Sequence, residues 1–300
     1  MLAATAVFGW SRSADAFCRS TTCSGECTRN ADGCKTDGEK LFWPGLCVGI
    51  SLQEDGSAHI DRDIWVDIAT KAIVAWVDLD CGNGASSINL APAKDVVCHL
   101  SQYDPDGPNA NIIMFQDTKW QYAGEDNTLA KATVSYDTET GEILDTDIEL
   151  NHAYNEYTTG DDFVVYDLQS ILTHELGHLM GLDHTLDYNA TMNAGYQQGT
   201  TELRTPELDD IDGVCAIYPP GREGRTSCEP NGGFASECAT DVEDTGCSCR
   251  TVGPSPSGLW RAGPGTRKSG PQGGGFAIAL ALASLVALQR RRPRTDETSK

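Results

Sequence analysis

Between Asp61 and Leu79 apolar residues recur at Ile64, Ile68, Ala72 and Trp76, with Trp65, Ala69 and Ile73 beside them. That broad face at helical spacing predicts an amphipathic helix packed on a sheet, its aromatic residues read as core. Cys47–Leu52 and Asn111–Phe115 are short apolar runs of strand length, and Ala132–Tyr136 and Ile143–Leu150 flank Thr140-Gly141 as the arms of a hairpin would. The helical pattern returns at Asp167, a good N-cap, and continues through Leu168, Ile171, Leu172, Leu176 and Leu179 until Gly181 supplies a stop. An irregular stretch rich in Asn, Gly and Thr follows. Glu207 to Tyr218 then reads as a last short helix ended by Pro219-Pro220.

The ends of the chain depart from these patterns. Leu2–Trp10 is apolar and Ala14-Asp15-Ala16 has the small-x-small form of a signal-peptidase site, so residues 1–16 read as a signal peptide. Residues 17–40 are small, polar and rich in cysteine, without periodicity, which predicts a disulfide-stapled loop segment ahead of a folded domain at 41–220. Residues 221–271, dominated by Gly, Ser, Pro and Thr, read as a linker with cysteines. In the final segment, 272–300, Phe276–Leu288 is almost wholly apolar and is followed by Arg290, Arg291, Arg292 and Arg294. At ~1.5 Å per residue the uncharged stretch from Ser269 to Gln289 just reaches the ~30 Å of a bilayer core, so this is expected to be a membrane segment with its basic side in the cytoplasm.

Composition narrows the function. A formal charge of -22 repels phosphate backbones and anionic lipid surfaces, which argues against a nucleic-acid partner. Twelve cysteines are scattered rather than grouped as zinc-finger pairs, and ten of them, Cys18 to Cys238, precede the tail. That even number is compatible with complete pairing in an oxidising compartment, although connectivity cannot be read from sequence. There is no internal repeat, phosphate-binding Gly-rich loop or Gly-x-Ser-x-Gly nucleophile elbow.

The chemistry concentrates in eleven residues. His174 and His178 stand four apart, so both imidazoles project from one helix face, and Gly177 between them has no side chain to crowd the backbone. Gly181 lets the chain leave the helix and return His184 as a third ligand to a tetrahedral zinc with one position open to water. Glu175, beside a ligand but not one itself, is placed to take the proton of that water. Half of the chain's six histidines fall in this short HExxHxxGxxH stretch, which argues against ordinary helix histidines. Met192 lies eight residues beyond His184, where a methionine-containing turn under the metal is expected.

Tyr166 to His184, YDLQSILTHELGHLMGLDH, resembles the active-site helix of matrixins, the matrix metalloproteinase family of metzincin peptidases. Asn189 to Tyr196 resembles that family's Met-turn and primed-side pocket wall, Leu208 to Gly213 the start of its final helix, and Gly141 to Asn151 the strand before the active-site helix. The likeness covers about Leu41 to Pro220. It implies an α+β metzincin fold: a twisted, mostly parallel sheet with two long helices, then a Met-turn subdomain with a last helix. It further implies one catalytic zinc on His174, His178 and His184, Glu175 as general base, Met192 under the site, Tyr196 lining the pocket, and protein or peptide substrates bound along an edge strand. Ala194 replaces the proline usual in the pocket wall, His152 is isolated where a structural zinc cluster would need partners, and the Pro-Arg-Cys-Gly latency motif is absent before residue 60. Asp104-Pro105-Asp106-Gly107 suits a calcium loop or a plain turn equally.

Gly246-Cys247-Ser248-Cys249-Arg250, a Gly/Pro-rich spacer, the apolar segment and the Arg cluster together resemble the sorting tails of myxobacterial surface proteins. The expectation is a zinc endopeptidase that is secreted or held at the cell surface through this tail before processing. The alternative is a catalytically silent adhesion or binding protein of metzincin shape.

Overall fold

The structure, a computed structural model, describes residues 17–123, 128–230 and 232–238 and the backbone of 258–262. Among them no helix is long and apolar enough to cross a membrane, and the expected signal peptide at 1–16 and membrane segment at 272–300 lie outside the described residues.

After β1 (Cys18–Arg19) and β2 (Cys47–Leu52), the first helix, α1, spans Arg62–Val74. Asp61 caps it by accepting from the Asp63 N–H, and Trp65, Ile68, Ala69, Ala72 and Ile73 are buried. Ile64, placed on the apolar face by its spacing, is 45% exposed, so that face is turned about one residue toward Trp65 and Ala69. The strands β3 (Asn89–Pro92), β4 (Asn111–Phe115), β5 (Thr128–Tyr136) and β6 (Ile143–Leu150) follow. Then come β7 (Tyr157–Thr158), β8 (Tyr166–Asp167), α2 (Leu168–Leu179), β9 (Leu182–Asp183), β10 (Gly195–Tyr196), α3 (Leu208–Ile217) and β11 (Gly258–Ala262). The expected strands at 47–52 and 111–115 and the hairpin arm at 143–150 stand where the pattern placed them, while the arm expected at 132–136 begins four residues earlier, at Thr128.

The main sheet has seven strands in the order β10-β11-β5-β6-β4-β2-β3. Pairs among β3, β2, β4 and β6 are parallel, as is β10 with β11, while β5 runs antiparallel to both of its neighbours. The sheet is therefore mixed. α1 and α2 pack on each other and on the sheet around one core that includes Trp65, Trp76, Ile113, Phe115, Leu129, Leu172 and Leu176.

Strand β4 is buried throughout, and its alternation shows why. Ile113 and Phe115 enter the main core, whereas Ile112 and Met114 face the other way into a second cluster with Val96, Cys98 and Ala110, packed by Phe234 and Cys238. The segment expected to be a linker is, over residues 222–230 and 232–238, the cover of that second face. Disulfides Cys47–Cys228 and Cys98–Cys238 hold it there. Cys81–Cys215 ties the loop after α1 to α3, and Cys18–Cys34 and Cys23–Cys27 staple the N-terminal segment, so all ten cysteines before the tail are paired. β1 pairs antiparallel with β9, which brings that stapled segment beside the turn carrying His184.

Beneath the second face, Asp147 accepts from the backbone N–H groups of Gln102 (2.8 Å) and Ile112 (3.1 Å). Burial pushes its carboxyl up to about 7 against the pull of those donors. An unfolded aspartate titrates near ~3.9, so between about pH 4 and 7 the folded chain holds a proton that the unfolded chain has released. Stability from this group is present at the acid end and declines as pH rises, by at most about 1.4 kcal/mol per pH unit. Urea unfolding across that window should show a shallower decline for Asp147→Asn than for wild type; equal slopes would contradict the assignment.

Candidate metal centre

The site is assembled from the two ends of α2 and the turns that follow it. At the first end, the Asp167 carboxylate caps the helix by accepting from the Ser170 N–H at 2.8 Å and is gripped by Arg204, Nε to Oδ2 at 2.8 Å and Nη2 to Oδ1 at 2.6 Å. The Asp167 N–H donates to the Tyr196 hydroxyl at 2.8 Å, and that hydroxyl donates to the Thr200 carbonyl at 2.6 Å. One buried aspartate thus joins the helix start and the 3₁₀ turn at Glu202–Arg204 through its carboxylate and the Tyr196 segment through its backbone N–H.

At the other end, Gly181 has φ +92, a left-handed conformation that L side chains rarely adopt, and a Cβ there would stand 2.8 Å from the Leu41 carbonyl oxygen. The chain reverses at this glycine, runs through β9 against β1, and delivers His184 back toward α2. Asp183, one residue before it, pairs with Lys35 of the N-terminal segment at 3.2 Å.

The three histidines meet. The Nε2 atom of His184 lies 3.2 Å from that of His174 and 3.1 Å from that of His178. Each helix histidine uses its other nitrogen on a backbone carbonyl: His174 Nδ1 with Thr191 at 2.6 Å and His178 Nδ1 with Leu182 at 2.9 Å. A carbonyl only accepts, so each Nδ1 carries the proton and each Nε2 presents a lone pair inward. Burial, reinforced by the neighbouring imidazoles, holds His174 well below the usual histidine range and pushes His184 down to about 3. Three uncharged imidazoles with converging Nε2 atoms, two of them held with the lone pair inward, fit a tetrahedral zinc-type ion with one position left free. Among the described residues this is the one cluster of metal-ligating side chains close enough to share an ion.

Glu175 lies on α2 beside these ligands, fully buried, and neither carboxyl oxygen has a hydrogen-bond partner among the described residues. Burial raises it well above the usual carboxyl range; the Ala132 N–H, which faces the carboxyl outside hydrogen-bond geometry, and the charge of Lys131, both on β5, offset this only in part. A buried carboxyl left unpaired is costly, a common mark of a group kept for chemistry.

Met192 and Tyr196 are both buried. A Cβ on Gly177 would lie 2.2 Å from Met192 Sδ, so the methionine occupies the space that glycine leaves between the two helix histidines. The turn carrying it hangs from Asp210 of α3, whose carboxylate accepts from the N–H groups of Thr191 (2.7 Å), Met192 (3.0 Å) and Glu207 (2.9 Å). Trp76 supports the same place from the α1 side, its indole donating to the Thr173 carbonyl at 2.8 Å. The structure brings the expected His174, His178, His184, Glu175 and Met192 together, with Tyr196 tied to the start of α2, and adds Asp210, Arg204 and Trp76, which sequence reasoning missed. The pairing of Asp167 with Arg204 across 37 residues leaves no local pattern; an acidic pair opening the last helix was the one visible sign of Asp210.

His152, isolated along the chain, is not isolated in space: its Nδ1 lies 2.8 Å from Ser57 Oγ and 3.0 Å from Asp117 Oδ1, and its ring packs against His59, Phe115 and Tyr157. The Asp104–Gly107 segment is a turn in which the Asp104 carboxylate accepts from the Asp106 N–H at 2.9 Å.

Residues 109–219 match the peptidase family described as Matrixin. The chain is 35% identical over 113 residues to matrix metalloproteinase-C of Caenorhabditis elegans, a stretch covering 36% of this chain and 19% of that protein. It is 44% identical over 62 residues to interstitial collagenase of Oryctolagus cuniculus (20% of this chain, 13% of that protein). It is 38% identical over 61 residues to metalloendoproteinase 1-MMP of Arabidopsis thaliana (20% and 16%). The chain therefore spans less than a fifth of the length of each of these relatives. Residues 109–219 are thus similar to the matrixin family, and the mixed sheet with three helices is consistent with an α+β fold of that kind.

Gly177→Ala should force Met192 and Trp76 apart, destabilising the fold by about 1–3 kcal/mol and weakening zinc retention, read by urea unfolding and by zinc content after dialysis. Unchanged stability and stoichiometry would mean that the Met192 contact is not tight.

Proposed function

We propose that this chain is a zinc-dependent endopeptidase that hydrolyses peptide bonds of proteins in an oxidising, extracytoplasmic compartment. The observation that carries the reading is the convergence of three neutral imidazoles, 3.1 and 3.2 Å apart at Nε2, beside a buried and unpaired glutamate. His174, His178 and His184 are the ligand set. When bound, zinc supplies Lewis-acid chemistry, acidifying a water and polarising a carbonyl. Glu175 takes the proton of the attacking water and delivers it to the amide nitrogen as the C–N bond breaks; burial raises its pKa, which makes it the stronger proton acceptor. Thr191 and Leu182 fix the tautomers of two ligands through their carbonyls, and Met192 packs beneath the histidines at Gly177.

The substrate lies extended between β5 and β10, adding itself to the sheet, with Tyr196 in the wall of the pocket beyond the cut. Binding through backbone on both edges favours internal bonds over chain ends. Five disulfides among the described residues support export, and the apolar tail would hold the protein at the surface until it is processed. The silent binding-protein alternative is disfavoured by Glu175, because a binding module has no use for a buried carboxyl without partners.

Glu175→Gln should keep one zinc per chain yet lose about 10²-fold or more of the cleavage of a quenched fluorogenic peptide library, whereas His178→Ala should lose zinc and cleavage together. Wild type that binds zinc and cleaves no peptide would favour the binding-module reading.

A further inference from the structure

The groove between β5 and β10 is filled by the chain itself. Gly258–Ala262 runs antiparallel to β5, with Gly258 opposite Ala132, Leu259 opposite Lys131, Trp260 opposite Ala130 and Arg261 opposite Thr128. Its other edge runs parallel to β10, Arg261 against Gly195 and Ala262 against Tyr196. This stretch of β5 is the one whose Ala132 amide and Lys131 charge act on the Glu175 carboxyl, and α2 packs against both β5 and β11. A strand paired on both edges has its backbone groups satisfied by the protein, as an added peptide strand would. In sequence, Pro254 and Pro256 precede the strand and Gly263-Pro264 follows it, residue types that do not extend a paired strand.

We propose that Gly258–Ala262 is the first substrate of this chain's own active site, docked as an added strand and cut within it. The proposal rests on the peptidase reading above. In the step, a water oxygen adds to the carbonyl carbon of a bond between Gly258 and Arg261, the part of the strand opposite Thr128–Ala132. The C–N bond breaks, the carboxyl group stays with the N-terminal portion, and the proton taken from water by Glu175 passes to the departing nitrogen, which becomes a new amino terminus. Water is the sole co-reactant. The cut separates the matrixin-like domain from everything that follows, including the apolar run and the arginine cluster at 276–294. Until it occurs the groove is closed to other peptides, so release from the tail and opening of the site are one event.

The test uses the full chain as wild type, as Glu175→Gln and as Glu175→Gln with Trp260→Pro, purified with zinc. Hydrogen exchange in Glu175→Gln should show protected amides across Thr128–Ala132, exchanging about tenfold or more faster once proline breaks the strand, while β2 and β4 exchange unchanged. Wild type should yield a new N-terminus between Leu259 and Arg261 by mass spectrometry, at a rate independent of protein concentration. An unprotected β5 edge in Glu175→Gln overturns the docking. Wild type that cleaves an added peptide yet stays intact, or that cuts itself only in proportion to its concentration, overturns intramolecular processing. Wild type that cleaves nothing while the β5 edge stays protected strikes the peptidase reading and upholds the docking.

Discussion

Three imidazole nitrogens held 3.1 and 3.2 Å apart in the interior of a protein are tolerable only if none of the rings is charged and none of the lone pairs is turned back on the backbone. The fold meets both conditions. Burial removes the charge, and the carbonyls of Thr191 and Leu182 take the outer protons of His174 and His178, so that the inner nitrogens face one another. Everything around the centre serves to hold those two carbonyls and the third ring in place. Leu182 lies in β9, which is braced by β1, and Thr191 sits in the turn that Asp210 suspends from α3.

That dependence explains why so much of the chain is committed to so small a site. The reversal at Gly181 is open to glycine for two separate reasons, its positive φ and the Leu41 carbonyl beside it. Asp167, gripped by Arg204, ties the start of α2 to the Tyr196 segment, so that segment and the three histidines are held to the same helix. A buried ion pair of this kind adds little net stability, because desolvation offsets its attraction, but it specifies one geometry and makes the loss of either partner costly. The disulfides act on the opposite side, fastening a cover of residues 222–230 and 232–238 over the face of the sheet remote from the helices.

Without β11, antiparallel β5 would leave an edge of unpaired backbone groups beside Glu175, and such an edge invites another strand. A peptidase needs that invitation, yet an exposed edge also binds indiscriminately. In this chain β11 and β10 complete it from within.

The sequence by itself determined the elements and the candidate ligand set. Helix and strand periods located α1, α2, β2, β4 and the β5–β6 hairpin, because burial of one face imposes a period on contiguous residues, and HExxHxxGxxH located the histidine cluster that could hold a metal, because ligand spacing on one helix is also local. Tertiary structure alone decided the pairing of ten cysteines, the grip of Arg204 on Asp167, the suspension of Met192 from Asp210 and the company His152 keeps. It also turned an apparent linker into the cover of a second core and into a strand in the groove, since Gly, Ser and Pro carry no periodic signal and the partners of Cys228, Cys238 and Gly258 lie more than 120 residues away. Local order follows from neighbours in the chain; these contacts follow from closure of the fold, and no stretch of sequence records them.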